Sequence, residues 1–190
     1  MCSYSPSRAR WSKKVQDKFA MPLYQEIWPG CKIESVEKYA EESDKWKRRD
    51  FSGLDVIINL LGGNEIHLAQ RFRSADSGDD FSLRYMVPAP KGDRQESEFF
   101  KLLKAYKEGY WRPDLYAFGK TKFGKRANLD KKTDGFSFFY IFNVDPLLKA
   151  IIDEDLTYMG PNPNMDGSSG VYFTINDMPQ ETIFFERVWD

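Results

Sequence analysis

Apolar residues at Trp11, Val15, Phe19, Leu23 and Ile27 recur every four positions, which is one face of a helix. Pro22 breaks or kinks that helix, and Pro29-Gly30 ends it. The following KIESVEKYAEE alternates and permits a strand. DVIINLL is a β-branched run, GGN turns the chain, and EIHLAQRFRS alternates again. Ile66, Leu68, Gln70 and Phe72 then share one face, and His67, Ala69, Arg71 and Arg73 share the other. Two such runs around a Gly-Gly-Asn turn predict a hairpin. SADSGDD reads as a loop, FSLRYMV as a strand and PAPKGDRQ as a second loop. SEFFKLLKAYKEGYW brings Phe99, Leu102, Leu103 and Tyr106 to one face of a helix that Ser97 can cap. LYAFGKT and FSFFYIFNV read as strands. DPLLKAIIDE reads as a short helix with Pro in its first turn. GPNPNMDGSSG is rich in turn formers, and VYFTIN and TIFFERVW close the chain as strands.

This order, α-β-β-β-(β)-α-β-β-α-β-β, predicts a mixed α/β or α+β sheet domain. A length of 190 residues, against roughly 150 per domain, implies one globular domain over residues 11–190 behind a loose basic arm of residues 1–10. Aromatics make up 16% and apolar residues 41%, so the chain can bury a core and is not a disordered segment. Lys+Arg is 28 and Asp+Glu is 29, a net charge of −1. That excludes nucleic-acid binding by bulk charge, but not a local basic face.

Two cysteines, Cys2 and Cys31, rule out a disulfide framework and a cysteine zinc site. One histidine, His67, leaves no multi-histidine metal site and no histidine-based triad centred elsewhere. The N-terminus has no apolar run and no stretch approaches a membrane span, so the expectation is a cytoplasmic protein without membrane association. Phosphate-binding Gly loops and a GxSxG elbow are missing. The acidic loop Asp76–Asp80 lacks the register of a calcium loop.

The strongest constellation surrounds the hairpin. Asp50 and Asp55 flank FSGL, and Asp55 opens an apolar strand where a carboxylate must be capped, solvated or bound to a cation. The next strand carries Glu65, His67, Gln70, Arg71 and Arg73, and the first helix offers Glu26. Hard oxygen ligands that hold Mg²⁺, beside a cation that steadies phosphorus, are what phosphodiester hydrolysis requires.

These pieces resemble the PD-(D/E)XK nuclease superfamily, whose core is restriction-endonuclease-like, α-β-β-β-α-β. The matching parts are the helix over residues 11–28, the strand near 32–39 and the D-x-x-G-x-D run Asp50 to Asp55. They continue with the hairpin ending Ala69-Gln70-Arg71-Phe72-Arg73, the helix over 97–110 and the strand at 115–121. The likeness covers about residues 11–121, with residues 122–190 as a C-terminal extension of strands and a short helix. By position it implies that Asp55 is the metal-binding Asp and Gln70 the Glu/Gln. Arg71 or Arg73 stands for the Lys, with Glu26 or Asp50 as a further ligand. It also implies Mg²⁺ or Mn²⁺ as cofactor, DNA rather than RNA as substrate, and a homodimer. One departure is built in. The family sets its Glu/Gln and Lys two apart on one face, and alternation cannot place Gln70 and Arg71 together. Either a bulge rotates one of them or the site is degenerate. Arg also stays protonated, so it can steady charge but is a poor base.

Basic clusters give a second line of support. Lys45, Lys47, Arg48 and Arg49 surround Trp46, while Lys122, Lys125 and Arg126 surround Phe123. Positive charge with interleaved aromatics suits a phosphate backbone and unpaired bases. Three readings follow: a Mg²⁺-dependent nuclease, a nuclease fold that has lost its chemistry and binds nucleic acid or a protein, or an aromatic-rich interaction protein that binds neither metal nor nucleic acid.

Overall fold

The structure is a computed structural model that describes residues 6–36, 54–88, 94–122, 134–163 and 167–189. Asp50, Lys45, Lys47, Arg48, Arg49, Lys125 and Arg126 lie outside the described residues.

The fold is mixed α+β with mostly antiparallel pairing. The first helix is α1 (Pro6–Val15), a π-helical turn (Gln16–Ala20) and α2 (Met21–Ile27) in succession. Pro22 does not end it. A proline ring in a helix crowds the carbonyl four residues back. Here the wider turn, closed by Met21 N–H on the Gln16 carbonyl, gives the backbone room at that point. The expected loose arm is corrected in part, because residues 6–10 are already helical.

Six strands form one sheet in the order β1-β2-β3-β6-β7-β10: β1 (Lys32–Ser35), β2 (Val56–Asn59), β3 (Glu65–Arg73), β6 (Leu115–Thr121), β7 (Phe136–Asn143) and β10 (Ile183–Val188). The predicted hairpin forms, with Val56 opposite Leu68 and Asn59 opposite Glu65. β3 and β6 are parallel, and the other pairings of this sheet are antiparallel. The connection from β3 to β6 carries β4 (Phe81–Pro88), β5 (Arg94–Glu96) and α3 (Glu98–Glu108). β4 and β5 join β9 (Ser169–Phe173) and β8 (Met159–Pro163) in a second, antiparallel sheet of order β5-β4-β9-β8. Strands β5 and β8 occupy stretches expected to be loops. Both sit at sheet edges, where a proline or a short segment costs little pairing. α4 (Val144–Ile152) matches the predicted short helix.

The large sheet is covered on both faces. Leu68, Phe72, Ala117, Phe139 and Ile141 pack beneath Trp11, Val15, Leu23 and Tyr24 of the first helix. Ala69, Tyr116, Phe118, Phe138 and Phe142 pack against Phe81, Leu83 and Phe173 of the second sheet and against Phe99 and Leu147 of α3 and α4. Each fully buried Phe contributes about 1.5–3 kcal/mol. Phe136 and Phe138 are two apart yet face opposite cores, because the register slips between Lys120 and Thr121. A bulge there rotates the strand. Gly119 sits where a Cβ would come within 2.7 Å of the Phe136 ring, so the site requires the smallest residue. No helix among the described residues is long and apolar enough to cross a membrane.

Candidate functional site

β2 begins at Val56, but β3 runs on past Leu68 to Arg73. The Gln70 N–H therefore points at the end of β2 without a ladder partner. Asp55 supplies one: its Oδ2 accepts that N–H at 2.6 Å. A carboxylate on an orphan sheet N–H is a strong, charge-assisted bond. Val56 and Ile58 face the first helix, so alternation directs Asp55 toward the face that carries Ala69 and Arg71, and its charge acts on Tyr24 on one side of the sheet and Tyr116 on the other.

Register along β3 runs unbroken against both neighbours. No bulge rotates Gln70 or Arg71, and the two side chains occupy opposite faces. Gln70 Oε1 instead accepts from the buried Tyr24 hydroxyl at 3.1 Å, under the first helix. Burial, followed by the Asp55 charge, raises the Tyr24 hydroxyl well above its usual range. The Gln70 side chain thus lies under the first helix, while its N–H holds the Asp55 carboxylate. Glu26 is also placed elsewhere, gripped at 2.8 and 2.5 Å by Arg187 of β10. Donation by that guanidinium holds the Glu26 carboxyl below its usual range.

On the Asp55 face the structure assembles a group that spacing did not reveal. Glu98 stands in the first turn of α3, where a negative charge meets the positive helix end. Its Oε2 accepts from Arg71 Nη1 at 2.8 Å and from the Arg84 backbone N–H at 2.9 Å. Its Oε1 accepts from the Tyr116 hydroxyl at 2.5 Å. Tyr116 is fully buried. Burial, and then the charges of Glu98 and Asp55, push its hydroxyl well above the usual range, with Arg71 opposing. Arg71, Glu98 and Tyr116 are therefore linked across β3, β6 and α3, and the Asp55 charge reaches Tyr116.

Arg73 is buried and donates to Ser82 Oγ at 2.5 Å, while its carbonyl accepts from Thr121. It ties the two sheets together. Lys122 is half-buried at the end of β6, and Lys120 beside it pairs with Asp79 at 2.5 Å. Ser97 takes the cap position of α3 without a side-chain cap bond. Glu98, Tyr116 and Arg84 were missed because an acid after Ser97 is an ordinary helix start. Nothing in the sequence ties it to a strand 27 residues earlier. Among the described residues, no group of three or more His, Cys, Asp or Glu is placed to hold a metal ion. Comparison with protein-family models, curated proteins and solved structures found no match.

Proposed function

We propose that this chain is a metal-dependent, nuclease-like protein that hydrolyses phosphodiester bonds of DNA on the face bearing Asp55, Arg71 and Glu98. The strand order β1-β2-β3-β6, with β6 parallel to β3 and reached through α3, supports the restriction-endonuclease-like core. In that frame Asp55 keeps its position. The two residues spaced two apart on its face are Ala69 and Arg71, so Arg71 rather than Arg73 stands for the Lys. The acid absent from position 69 is supplied by α3. The observation that carries the reading is the 2.8 Å contact of Glu98 with Arg71 on the Asp55 side of the sheet.

Mg²⁺ is usually held by one or two carboxylates with water completing the shell. A carboxylate has about four acceptor positions. Glu98 uses three of them among the described residues, and Asp55 Oδ2 holds the Gln70 N–H, so an ion at this site would rest on Asp55 and the remaining Glu98 position with water completing its shell. An ion held by Asp55 and Glu98 would supply a Lewis acid for the phosphate and would lower the pKa of a bound water. Arg71 remains protonated and donates to the phosphate oxygens as charge builds on them. Tyr116, kept neutral by burial, holds Glu98 in register.

The test is cleavage of plasmid and oligonucleotide DNA with Mg²⁺ or Mn²⁺ and with EDTA. Asp55→Asn and Glu98→Gln should each lower the metal-dependent rate about 100-fold or more while circular dichroism stays native. Cleavage that persists unchanged in Asp55→Asn rejects the site. A second reading, a degenerate fold that only binds, is favoured by Ala69 and by the three donors already on Glu98. It predicts salt-dependent DNA binding without cleavage at any metal concentration.

A further inference from the structure

Past the αL cap at Gly109, residues 110–114 leave α3 and lead into β6, and this segment is pinned at several points. Tyr110 N–H bonds the Ala105 carbonyl at 2.8 Å. Arg112 forms a two-pronged pair with Asp145, at 2.5 and 2.6 Å, and lies 5.1 Å over the Tyr106 ring. Asp114 Oδ2 takes both the His67 backbone N–H, at 2.8 Å, and His67 Nδ1, at 3.1 Å. The His67 ring then meets Trp111 edge-on, 5.3 Å between centroids. These contacts hold Trp111 and Tyr110 at 40% and 60% exposure on the rim of an open cavity of about 520 Å³. That volume is in the range of small-ligand sites.

The cavity shares a sheet face with the proposed site. His67 and Arg71 are four residues apart on the same side of β3, roughly 13 Å at the strand rise. A single strand whose phosphate meets Arg71 can therefore lay a neighbouring base in the cavity. The charges select the base rather than the backbone. Arg112 neutralises Asp145, and Asp114, whose Oδ2 is held by His67, is the second acid of the lining. A carboxylate repels phosphate but accepts from exocyclic amino groups.

We infer that this cavity binds an unpaired nucleobase with an exocyclic amino group, stacked on Trp111 and Tyr110 with its edge toward Asp114. The inference rests on the nuclease-like reading and names the form of its substrate: single-stranded next to the engaged phosphate.

The test is fluorescence anisotropy of the full chain with short labelled dC, dA and dT homopolymers and a duplex, in EDTA and at several salt concentrations. Trp111→Ala should weaken binding of the dC and dA strands about 5- to 100-fold. Trp111→Phe should restore most of the loss, and Asp114→Asn should remove the preference for dC and dA over dT. Tyr110→Ala should lower affinity in the same direction, and it serves if Trp111→Ala does not fold. Salt-dependent DNA binding that is indifferent to Trp111, Tyr110 and Asp114 overturns the base site and leaves the nuclease-like reading intact. Failure of the wild-type chain to bind any of these DNAs overturns both. Capture of a poly-arginine peptide through Trp111, uncompeted by the oligonucleotides, overturns the base site in favour of a protein ligand.

Discussion

Replacing Glu98 tests the centre of the proposed site through stability alone. Glu98→Ala removes one acceptor from three donors: the Arg71 guanidinium, which keeps the Ser82 carbonyl at 3.4 Å, the Arg84 N–H and the Tyr116 hydroxyl. Breaking one side of a fully buried ion pair costs about 3–5 kcal/mol. The Glu98 side chain is 25% exposed and Arg71 15%, so water recovers part of that and about 2 kcal/mol remains. Tyr116 is fully buried, and its stranded hydroxyl adds about 1–3 kcal/mol. The total is about 4 kcal/mol, a large share of the roughly 5–15 kcal/mol that holds a domain together. Glu98→Gln should cost only about 1 kcal/mol. It keeps an acceptor for Arg71 and Arg84, and the Tyr116 hydroxyl can turn to accept from the new amide. Urea denaturation followed by circular dichroism and tryptophan fluorescence reads both values. An Ala variant within about 1 kcal/mol of wild type, or a Gln variant as damaged as Ala, would refute the reasoning. A Glu98→Gln, Tyr116→Phe cycle should show coupling, because the two groups share one bond.

Gly119→Ala drives a methyl to within 2.7–2.9 Å of the Phe136 and Phe139 rings, and overpacking of this kind costs about 1–3 kcal/mol; a urea midpoint equal to wild type would contradict the packing described. Tyr24 and Tyr116 carry hydroxyl pKa values raised by burial, so their contribution to stability is whole below the unfolded value of about 10 and is lost as pH rises toward the folded value. Each tyrosine should then remove about 1.4 kcal/mol per pH unit above that point; denaturation curves should show a steeper alkaline decline in wild type than in Tyr116→Phe, and equal declines would count against the burial of this hydroxyl.

Elements governed by local period were legible in the amino-acid order. The first helix, the Val56–Arg73 hairpin and the strands around Phe118 and Phe139 each have a repeat set by neighbours a few residues away. β8, with its two prolines, reads as a loop because its strand character comes only from pairing with β9. The second sheet was invisible for the same reason: β4 meets β9 across some ninety positions, Phe81 opposite Phe173. At the site, the opposite faces of Gln70 and Arg71 followed from alternation along β3, which is why Gln70 ends under Tyr24. The arrival of Glu98 depends on the path from β4 to α3, a tertiary fact with no local trace.

Phe138 and Phe142 look one way from β7, while Phe139 and Ile141 look the other. Crowding on one side of this strand cannot be relieved by shifting it, since any retreat opens a gap behind. β7 is in effect a party wall: the helical layer and the second sheet can each be remodelled by substitution, while the strand between them tolerates change only when both sides change together. Asn143, at its far end, borders the cavity beside Trp111, so the rim of that cavity takes its position from the least adjustable segment of the molecule.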